Sequence, residues 1–390
     1  MTEPFGFDTR AIHAGYQSDP ATGDVMPPIH LSTTYQQDGI GGLRSGYEYT
    51  RGGNPTRDAL QGLLAALEGG ERAFAFASGL AAEDALLRAL LKPGARIVMG
   101  NDVYGGTHRL VHRIHVPWGV VLETADLGDL DRVRDVIRRG ETDVVWLETP
   151  SNPLMKITDI AALAEVAHAA GATVVVDNTF ATPALQQPLA LGADAVVHSV
   201  TKYLGGHSDV LGGAVVLPAG ELAERVGFLQ FATGGVAAPT DAWLTMRGIR
   251  TLGVRMERHS ATAAVLAERL VGHPAVRQVL YPGLPTHPGH VIAARQMRLF
   301  GGMLSLRLAG GEPAARAFAE SLRVFTLAES LGGVESLVNY PAEMTHASVR
   351  GTELEVPGDV VRLSVGLETA DDLLTDVLDA LEAVAGGPTS

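Results

Sequence analysis

The stretch Ala172-Thr-Val-Val-Val-Asp-Asn-Thr-Phe180 is an apolar, β-branched run that ends in an acid. It predicts a buried β-strand that stops at Asp177. A second stretch, His198-Ser-Val-Thr-Lys-Tyr-Leu-Gly-Gly-His-Ser-Asp209, places Lys202 just after another short apolar run. Strands of this kind are typical of mostly parallel sheets covered by helices on both faces, where ligands bind beyond the carboxyl ends of the strands. Asp177 and Lys202 therefore both lie at a predicted ligand site.

The alternation of helix and strand extends outward from these two stretches. The pattern predicts helices at 55–68, 79–91, 129–139 and 157–170, and strands near 73–77, 96–99, 120–123, 144–148, 173–176, 195–198 and 213–217. We interpret residues 56–254 as a large α/β domain. A helix-rich stretch at 239–270 leads to strands near 303–308 and 361–365 and a closing helix at 370–384, so we interpret residues 255–390 as a smaller α+β domain.

Residues 1–55 contain prolines at Pro4, Pro20, Pro27 and Pro28 and many glycines. This composition predicts an extended arm with little core of its own. An arm of this kind is expected to become ordered against another surface, and a neighbouring subunit is the natural candidate.

Composition bounds the class of protein. The 390 residues are 46% hydrophobic and 19% charged, which predicts a globular chain with a sizeable core and two domains. The net charge of −14 argues against nucleic acid and anionic membranes as partners and favours small molecules. The chain has no cysteine, no apolar run long enough for a membrane span, and no basic or apolar leader at its start, so we expect a cytoplasmic protein.

Lys202 stands out because only three of the 30 lysine and arginine residues are lysines. A lysine amine can lose its proton and condense with an aldehyde, whereas arginine keeps its charge. An amine near a strand-end acid such as Asp177, which could pair with a pyridine nitrogen, indicates pyridoxal phosphate. Ser78 and Gly79 lie where a strand turns into a helix, a suitable phosphate site, and Ser199 and Thr201 could add hydroxyl donors. Tyr104, in a glycine-rich loop, could stack on the cofactor ring.

Seven segments together closely resemble the Cys/Met-metabolism family of pyridoxal phosphate enzymes over nearly the whole chain. They are Tyr49-Thr-Arg-Gly-Gly-Asn-Pro-Thr56, Asp102-Val-Tyr-Gly-Gly-Thr107, Glu148-Thr-Pro-Ser-Asn-Pro153, Val176-Asp-Asn-Thr-Phe-Ala-Thr-Pro183, Ser199-Val-Thr-Lys-Tyr-Leu-Gly-Gly-His-Ser-Asp209, Ala328-Glu-Ser-Leu-Gly-Gly-Val-Glu-Ser336 and Arg362-Leu-Ser-Val-Gly366. The resemblance implies the type I fold of pyridoxal-phosphate-dependent transferases and a homotetramer built from dimers.

The resemblance also implies roles for residues. Lys202 would be the Schiff-base lysine and proton shuttle, Asp177 the partner of the pyridine nitrogen, and Tyr104 the stacking ring and an acid or base. The remaining cofactor-binding residues would be Ser78, Gly79, Leu80, Asn152, Thr179, Ser199 and Thr201, with Tyr49 and Arg51 supplied by the adjacent subunit. Arg362 would clamp the substrate carboxylate, and Glu329 and Ser330 would complete the substrate site.

The residues at two positions narrow the range of possible substrates. Glu329 resembles the acid of cystathionine γ-synthases and γ-lyases, which can face a distal ammonium group, where β-lyases tend to carry an aromatic residue. Gly106 occupies the position where methionine γ-lyases typically place cysteine. Leu80 stands where many members of the family have methionine, a difference that should be harmless because the contact there uses backbone N–H groups. Gly205 stands where many of them have asparagine.

The resemblance favours a cystathionine γ-synthase that joins O-succinyl- or O-acetylhomoserine to cysteine. Cystathionine γ-lyase is the first alternative, followed by methionine γ-lyase and O-acylhomoserine sulfhydrylase. From a different class, His108, His112 and His115 could place imidazoles one helical turn apart as metal ligands, but Arg109 and Arg113 would repel a cation. A nicotinamide enzyme is disfavoured because no Gly-x-Gly-x-x-Gly opens a helix, and a non-catalytic scaffold gives no reason for Lys202 with Asp177.

Overall fold

The computed structural model describes residues 5–138, 142–352 and 354–385. The helices are α1 Phe7–His13, α2 Pro55–Glu68, α3 Gly79–Leu90, α4 Gly105–Leu110, α5 Leu130–Arg138, α6 Ile160–Ala169, α7 Thr182–Leu185, α8 Glu221–Thr233, α9 Pro239–Ile249, α10 Leu252–Leu270, α11 His290–Gln296, α12 Gly311–Ser321 and α13 Ala370–Ala385. The strands are β1 Arg72–Phe76, β2 Arg96–Gly100, β3 Val121–Ala125, β4 Val144–Glu148, β5 Thr173–Asp177, β6 Ala195–Ser199, β7 Gly213–Leu217, β8 Val276–Leu280, β9 Met303–Leu308, β10 Thr326–Leu327, β11 Leu337–Asn339 and β12 Val360–Ser364.

The first sheet has seven strands in the order β1-β7-β6-β5-β4-β2-β3. All of its strands run in one direction except β7, which is antiparallel to both β1 and β6. The prediction of a mostly parallel sheet is therefore confirmed. All strands except the edge strand β3 are largely buried because helices cover both faces, and the carboxyl ends of β4, β5 and β6 open at one edge of the sheet.

Two helix starts show why the sequence folds this way around the site. Asn54 caps α2, since its side-chain oxygen accepts from the backbone N–H groups of Thr56 and Arg57, and Pro55 occupies the first helical position. Ser78 caps α3 in the same manner by accepting from Ala81 at 3.1 Å. The Ser78 cap thus starts α3 directly after β1, as the sequence predicts.

The second sheet has five strands in the order β10-β11-β12-β9-β8 and packs against α10, α12 and α13 around its own core. The predicted domain boundary at residue 254 falls inside α10. Leu252 and Met256, in the first half of this helix, belong to the core that underlies the first sheet, whereas Leu266 and Leu270 belong to the core of the second sheet. The two halves of the chain are thus joined by one continuous helix.

The N-terminal segment differs from the predicted extended arm, because residues 7–13 form α1. Ala11 is 2% exposed and belongs to a core shared with α2 of the same chain. Gly15 follows with φ of +79°, and a Cβ there would lie 2.2 Å from the carbonyl oxygen of Ala59, so only glycine allows this close approach to α2. The sequence did not reveal this helix because it is short and lies between Pro4 and the flexible Gly15.

Within the described ranges, no helix combines the length and the apolar character that crossing a membrane demands.

Candidate active site

A pocket lies at the carboxyl ends of β4, β5 and β6, between the first sheet and the second, and has a cavity volume of about 200 Å³. Parallel-sheet proteins bind ligands at this edge. Most of the predicted site residues line it, from both halves of the chain: Ser78, Gly79, Leu80, Tyr104, Asn152, Asp177, Thr179, Ser199, Thr201, Lys202, Glu329, Ser330 and Arg362. The sequence thus identified residues that are far apart along the chain but adjacent in the fold.

Lys202 projects into the pocket after β6, and its Nζ donates a hydrogen bond to the Ser330 hydroxyl at 2.7 Å. Burial of the amine, helped by the positive charge of Arg362 and opposed by Glu329, lowers the pKa of Lys202 to about 8. About a tenth of the amine is therefore unprotonated at pH 7, far more than for an ordinary lysine. This state is the one that can attack an aldehyde or accept a proton.

Arg362 is 2% exposed and lies on the central strand β12. One terminal nitrogen donates to the side-chain oxygen of Asn152 at 2.8 Å and the other to the Ser330 carbonyl at 3.0 Å. The third guanidinium nitrogen, Nε, is buried and has no partner among the described residues. Burial lowers the pKa of this guanidinium to about 10, so it stays charged at neutral pH. A carboxylate is the natural partner for a buried cation with a free donor.

The Ser330 backbone has φ of +84°, an uncommon conformation for a residue with a side chain. This conformation lets one residue contact both cations, because its hydroxyl faces Lys202 while its carbonyl accepts from Arg362. Strained backbone of this kind persists where surrounding contacts hold it, as they do here.

Asp177 is 7% exposed at the end of β5, and its Oδ1 accepts from the Thr179 backbone N–H at 2.9 Å. Burial raises the pKa of Asp177, an effect that the two hydrogen bonds from Thr179 partly oppose. The Thr179 hydroxyl in turn accepts from the Ser199 backbone N–H at 2.9 Å. These contacts fix Asp177 relative to the neighbouring strand β6.

Behind Asp177 lies a fully buried pair, in which Nε2 of His198 lies 2.6 Å from a carboxylate oxygen of Glu68. The Asn178 side chain donates to the same Glu68 oxygen at 2.9 Å and to the carbonyl of Gln186. Because His198 follows Val197, the register partner of Asp177, this network supports the strand ends that carry the acid.

The start of α3 forms one end of the pocket. Backbone N–H groups at a helix start attract anions. Gly79 approaches Ser199 so closely that a Cβ at residue 79 would lie 3.1 Å from the Ser199 Cβ, so a side chain there would crowd Ser199. The hydroxyl of Ser78 caps its own helix, and the hydroxyl of Thr201 contacts the backbone of Gly212. The hydroxyls of Ser78 and Thr201 therefore already have structural roles, in addition to any contribution to an anion site.

Tyr104 lies at the start of α4, where its backbone N–H donates to Glu148 at 2.8 Å. It retains 37% of its surface exposed. Partial burial raises the pKa of the Tyr104 phenol, so the hydroxyl keeps its proton at neutral pH. Its ring lies over Gly106, and a Cβ at that position would be 2.3 Å from the ring. A side chain at residue 106 would thus displace the ring from this position.

His346 anchors the second half of the chain to this loop region. Its Nε2 lies 3.1 Å from the Asn152 carbonyl, which can only accept, and its Nδ1 lies 2.8 Å from the Thr345 hydroxyl. Burial, with the charge of Arg362, lowers the pKa of His346 to about 4, so the ring is neutral at pH 7. The neutral ring therefore donates from Nε2 and holds Asn152 in position beside Arg362.

Sequence reasoning missed three polar residues of the pocket: Glu83, Glu148 and Thr345. Glu148 ends β4 and is the register partner of Asp177 on the neighbouring strand. The signal was present, since Glu148 ends an apolar strand as Asp177 does. Burial and the charge of Asp177 raise the pKa of Glu148 well above its ordinary value. Glu329, by contrast, lies exposed at the mouth of the pocket.

Tyr49 and Arg51 do not reach the pocket of their own chain. The Arg51 guanidinium lies 5.2 Å from the centre of the Tyr49 ring and 5.0 Å from that of Phe231. Both site residues are solvent-exposed in a single chain. Their placement leaves them free to contact another molecule.

The alternative metal site has little support from the geometry. The rings of His108 and His112 stack with their centres 5.4 Å apart, and burial lowers the pKa of His108. In the part of the chain that the structure describes, no three histidine, cysteine or acidic side chains are grouped so that they could hold a metal ion.

Comparison with known proteins places this site in context. The sequence model of the family described as Cys/Met metabolism PLP-dependent enzyme matches residues 8–382. A Mycobacterium tuberculosis protein named cystathionine gamma-synthase is 58% identical over 373 residues, 96% of each chain. A Lactococcus lactis protein named cystathionine beta-lyase is 51% identical and covers 96% of this chain and 98% of its own. The crystal structure of a cystathionine gamma synthase from Xanthomonas oryzae in complex with cystathionine is 47% identical, covers 99% of this chain and all of its own, and superposes with a TM-score of 0.95.

Proposed function

The chain belongs to the family of Cys/Met metabolism PLP-dependent enzymes, and from this premise we propose that it catalyses γ-replacement, in which an O-acylhomoserine and cysteine yield cystathionine. The Cγ–O bond of the homoserine ester breaks, the acyl group leaves as a carboxylate, and the cysteine sulfur forms the new bond to Cγ. The similarity to the mycobacterial protein named cystathionine gamma-synthase supports this reaction over others of the family.

One observation carries the proposal. The pocket has a buried guanidinium with an unpartnered Nε, Arg362, and an exposed carboxylate at its mouth, Glu329. Arg362 suits the α-carboxylate of an amino acid, and Glu329 suits a second ammonium group farther out. Cysteine entering the pocket and cystathionine leaving it both carry such an ammonium group. A site for simple α-amino acids would need only the first of these two charges.

The residues present fit pyridoxal phosphate. The start of α3 at Gly79, with Ser199 beside it, would hold the phosphate, Asp177 would face the pyridine nitrogen, Asn152 would lie near the phenolic oxygen, and Tyr104 would stack on the ring. When bound, the cofactor supplies an aldehyde that bonds covalently to amino groups and a ring that withdraws electrons from the substrate α-carbon.

Lys202 performs the proton transfers in this proposal. Its pKa of about 8 lets the amine accept the α-proton of the substrate and return a proton later near neutral pH. The Ser330 hydroxyl, which accepts from Nζ at 2.7 Å, orients the amine between these steps. The phenol of Tyr104 keeps its proton near neutral pH. It can donate that proton to the departing group, or it can position the substrate on the side that faces Lys202.

A second candidate is γ-elimination from cystathionine, which releases cysteine, 2-oxobutanoate and ammonia. A Bacillus subtilis relative named cystathionine gamma-lyase is 48% identical over 379 residues, and the same lysine, arginine and glutamate would bind that substrate. The two reactions differ in the group that leaves Cγ, which is a carboxylate in the first and cysteine in the second, and in whether cysteine or water then consumes the four-carbon chain.

The deciding experiment offers O-succinylhomoserine, O-acetylhomoserine and cystathionine to the purified holoenzyme, with and without cysteine. We expect the largest kcat/KM for an acylhomoserine with cysteine, with cystathionine as the product. A larger kcat/KM for cystathionine cleavage would contradict γ-replacement and support the second candidate. A protein that binds pyridoxal phosphate but transforms none of these compounds would contradict both.

The proposal includes a second copy of the chain, which supplies Tyr49 and Arg51 to the phosphate end, within a homotetramer. Their exposure and their distance from their own pocket support this arrangement. Mixing the two inactive variants R51A and K202A tests it. If Arg51 crosses between subunits, each mixed dimer has one intact site and about a quarter of the wild-type activity returns, whereas recovery of none would show that Arg51 serves its own chain.

A further inference from the structure

Glu83 is a carboxyl group that the proposed reaction does not use. It lies one turn into α3, four residues after Gly79, and lines the same pocket. It is only 4% exposed, and its Oε2 has no hydrogen-bond partner among the described residues. An unpartnered buried carboxyl is costly, and such groups are normally paired with a cation or kept protonated.

The surroundings of Glu83 are acidic. Asp177 on β5, Glu148 on β4 and Tyr104 at the start of α4 line the same pocket, and the charges of Glu83 and Glu148 act on one another and on Tyr104. Burial raises the pKa of Glu83 well above its ordinary value, and the charge of Asp177 raises it further. The Thr107 hydroxyl favours the charged form, but its oxygen too has no partner that satisfies hydrogen-bond geometry.

The pocket cations are already engaged elsewhere. Lys202 is bound to Ser330, and Arg362 is bound to Ser330 and Asn152. Neither is among the causes that shift the pKa of Glu83, which are burial first, then the charge of Asp177 and the opposing effect of Thr107. Glu83 therefore has no protein cation of its own, whereas the charge of Glu148 acts on Arg362. A ligand with a protonated nitrogen at this edge would provide one.

We propose that Glu83 is a positioning residue that acts with Asp177: its carboxylate adds a second negative charge opposite the protonated pyridine nitrogen and strengthens the hold of the ring on that proton. This inference rests on the proposed placement of the pyridine nitrogen at Asp177. A more firmly protonated ring withdraws more electron density from the substrate, so Glu83 would tune the cofactor without touching the substrate.

The test compares pyridoxal phosphate with its 1-deaza analogue, which has carbon in place of the ring nitrogen and cannot carry the proton. Both are titrated into apoprotein of the wild type and of the Glu83→Gln variant at one pH. We expect the preference of the wild type for pyridoxal phosphate over the analogue to fall about 10-fold in the variant, because a nearby charge typically shifts a pKa by about one unit. An equal loss of affinity for both compounds would mean a structural role and overturn the proposal.

A second readout follows the proton itself. Cofactor labelled with ¹⁵N in the ring shows by its chemical shift whether the nitrogen is protonated. We expect the proton to be lost at lower pH in Glu83→Gln than in the wild type, by about one pH unit. An unchanged titration of the ring nitrogen would contradict the proposal. If Glu83→Gln folds poorly, Glu83→Thr provides the same two comparisons.

The variant Asp177→Asn separates failure of this inference from failure of the site assignment. It should abolish the preference for pyridoxal phosphate over the analogue more completely than Glu83→Gln does. If Asp177→Asn retains the full preference, the assignment of the ring nitrogen to this edge is wrong. If Glu83→Gln retains the full preference and Asp177→Asn loses it, the ring nitrogen does lie at this edge and the proposed role of Glu83 is refuted.

Discussion

The pocket has two edges of opposite charge, and burial acts on them in opposite directions. At the acidic edge, made of Asp177, Glu83 and Glu148, burial raises the pKa values. At the basic edge, made of Lys202 and Arg362, burial lowers them. In both cases the fold disfavours the charged form. The comparison teaches that a bound partner of the opposite charge would stabilise the charged form at each edge.

The two edges also differ in how they are built. The acidic edge comes from the ends of adjacent strands, where Glu148 and Asp177 are register partners, and from the first turns of α3. The basic edge is joined across the two halves of the chain by Ser330, which contacts both Lys202 and Arg362, and by Asn152, which contacts Arg362. A shift between the two halves would therefore disturb the basic edge before the acidic one.

The largest expected effect comes from removing the amine of the basic edge. Lys202→Ala should lower kcat by about 10⁴-fold, because the variant loses the residue proposed to carry both the covalent attachment and the proton transfers. Lys156→Ala is the matched control, since the Lys156 amine lies 2.8 Å from Asp126 outside the pocket. Steady-state kinetics of both variants measures the effect. Retention of a tenth of wild-type kcat by Lys202→Ala would contradict the assignment.

Removing the other cation should affect binding more than turnover. Arg362→Ala should raise KM for the acylhomoserine by about 100-fold, the size expected for losing charge-assisted hydrogen bonds to a carboxylate. Arg362→Lys keeps the charge but not the planar fork, so it should recover only part of the loss. If kcat falls and KM does not change, Arg362 does not clamp the substrate carboxylate.

The basic edge also predicts a pH dependence. Only the unprotonated amine attacks an aldehyde, so the rate at which apoprotein captures pyridoxal phosphate should rise about tenfold per pH unit below the pKa of Lys202, about 8, and level off above it. Stopped-flow absorbance measures this rate. Because Arg362 helps to lower that pKa, the midpoint should move to higher pH in Arg362→Ala. A wild-type midpoint near that of an ordinary lysine would show that the pocket does not desolvate the amine.

The smallest expected effect is at the mouth of the pocket. Glu329→Gln should raise KM for cysteine by about 5-fold, because an exposed charge pair contributes little. It should also move the capture midpoint to lower pH, since the charge of Glu329 raises the pKa of Lys202. Glu320→Gln, an exposed glutamate on α12, is the matched control. Unchanged kinetics for cysteine would remove the basis for a second ammonium site.

Much of this site was predictable from the sequence because its residues follow recognisable elements. Asp177 ends an apolar strand, Gly79 opens a helix, and Lys202 is one of three lysines. Glu83 was not predicted as a site residue, because the recognisable sequence signal at a helix start is its capping residue and Glu83 lies one turn farther along. Its spacing of three and four residues from the buried Leu86 and Leu87 does place it on the buried face of α3.

Other features depend on contacts distant in sequence and leave no local pattern. The reversal of β7 cannot be read from its apolar run, because parallel and antiparallel strands can be equally apolar when buried on both faces. The helix α1 is stabilised by packing on α2, more than 40 residues later, and not by its own length. The role of Ser330 in joining Lys202 to Arg362 likewise appears only when the two halves of the chain meet.

The most direct test of the account is to fix the cofactor to the protein. The holoenzyme is reduced with borohydride, digested, and the modified peptide identified by mass spectrometry. The chain contains only three lysines, Lys92, Lys156 and Lys202, so the modified peptide can be assigned to one of them. The account predicts one pyridoxyl group per chain, attached to Lys202. Attachment to Lys92 or Lys156, or no attachment in a protein that retains activity, would contradict it.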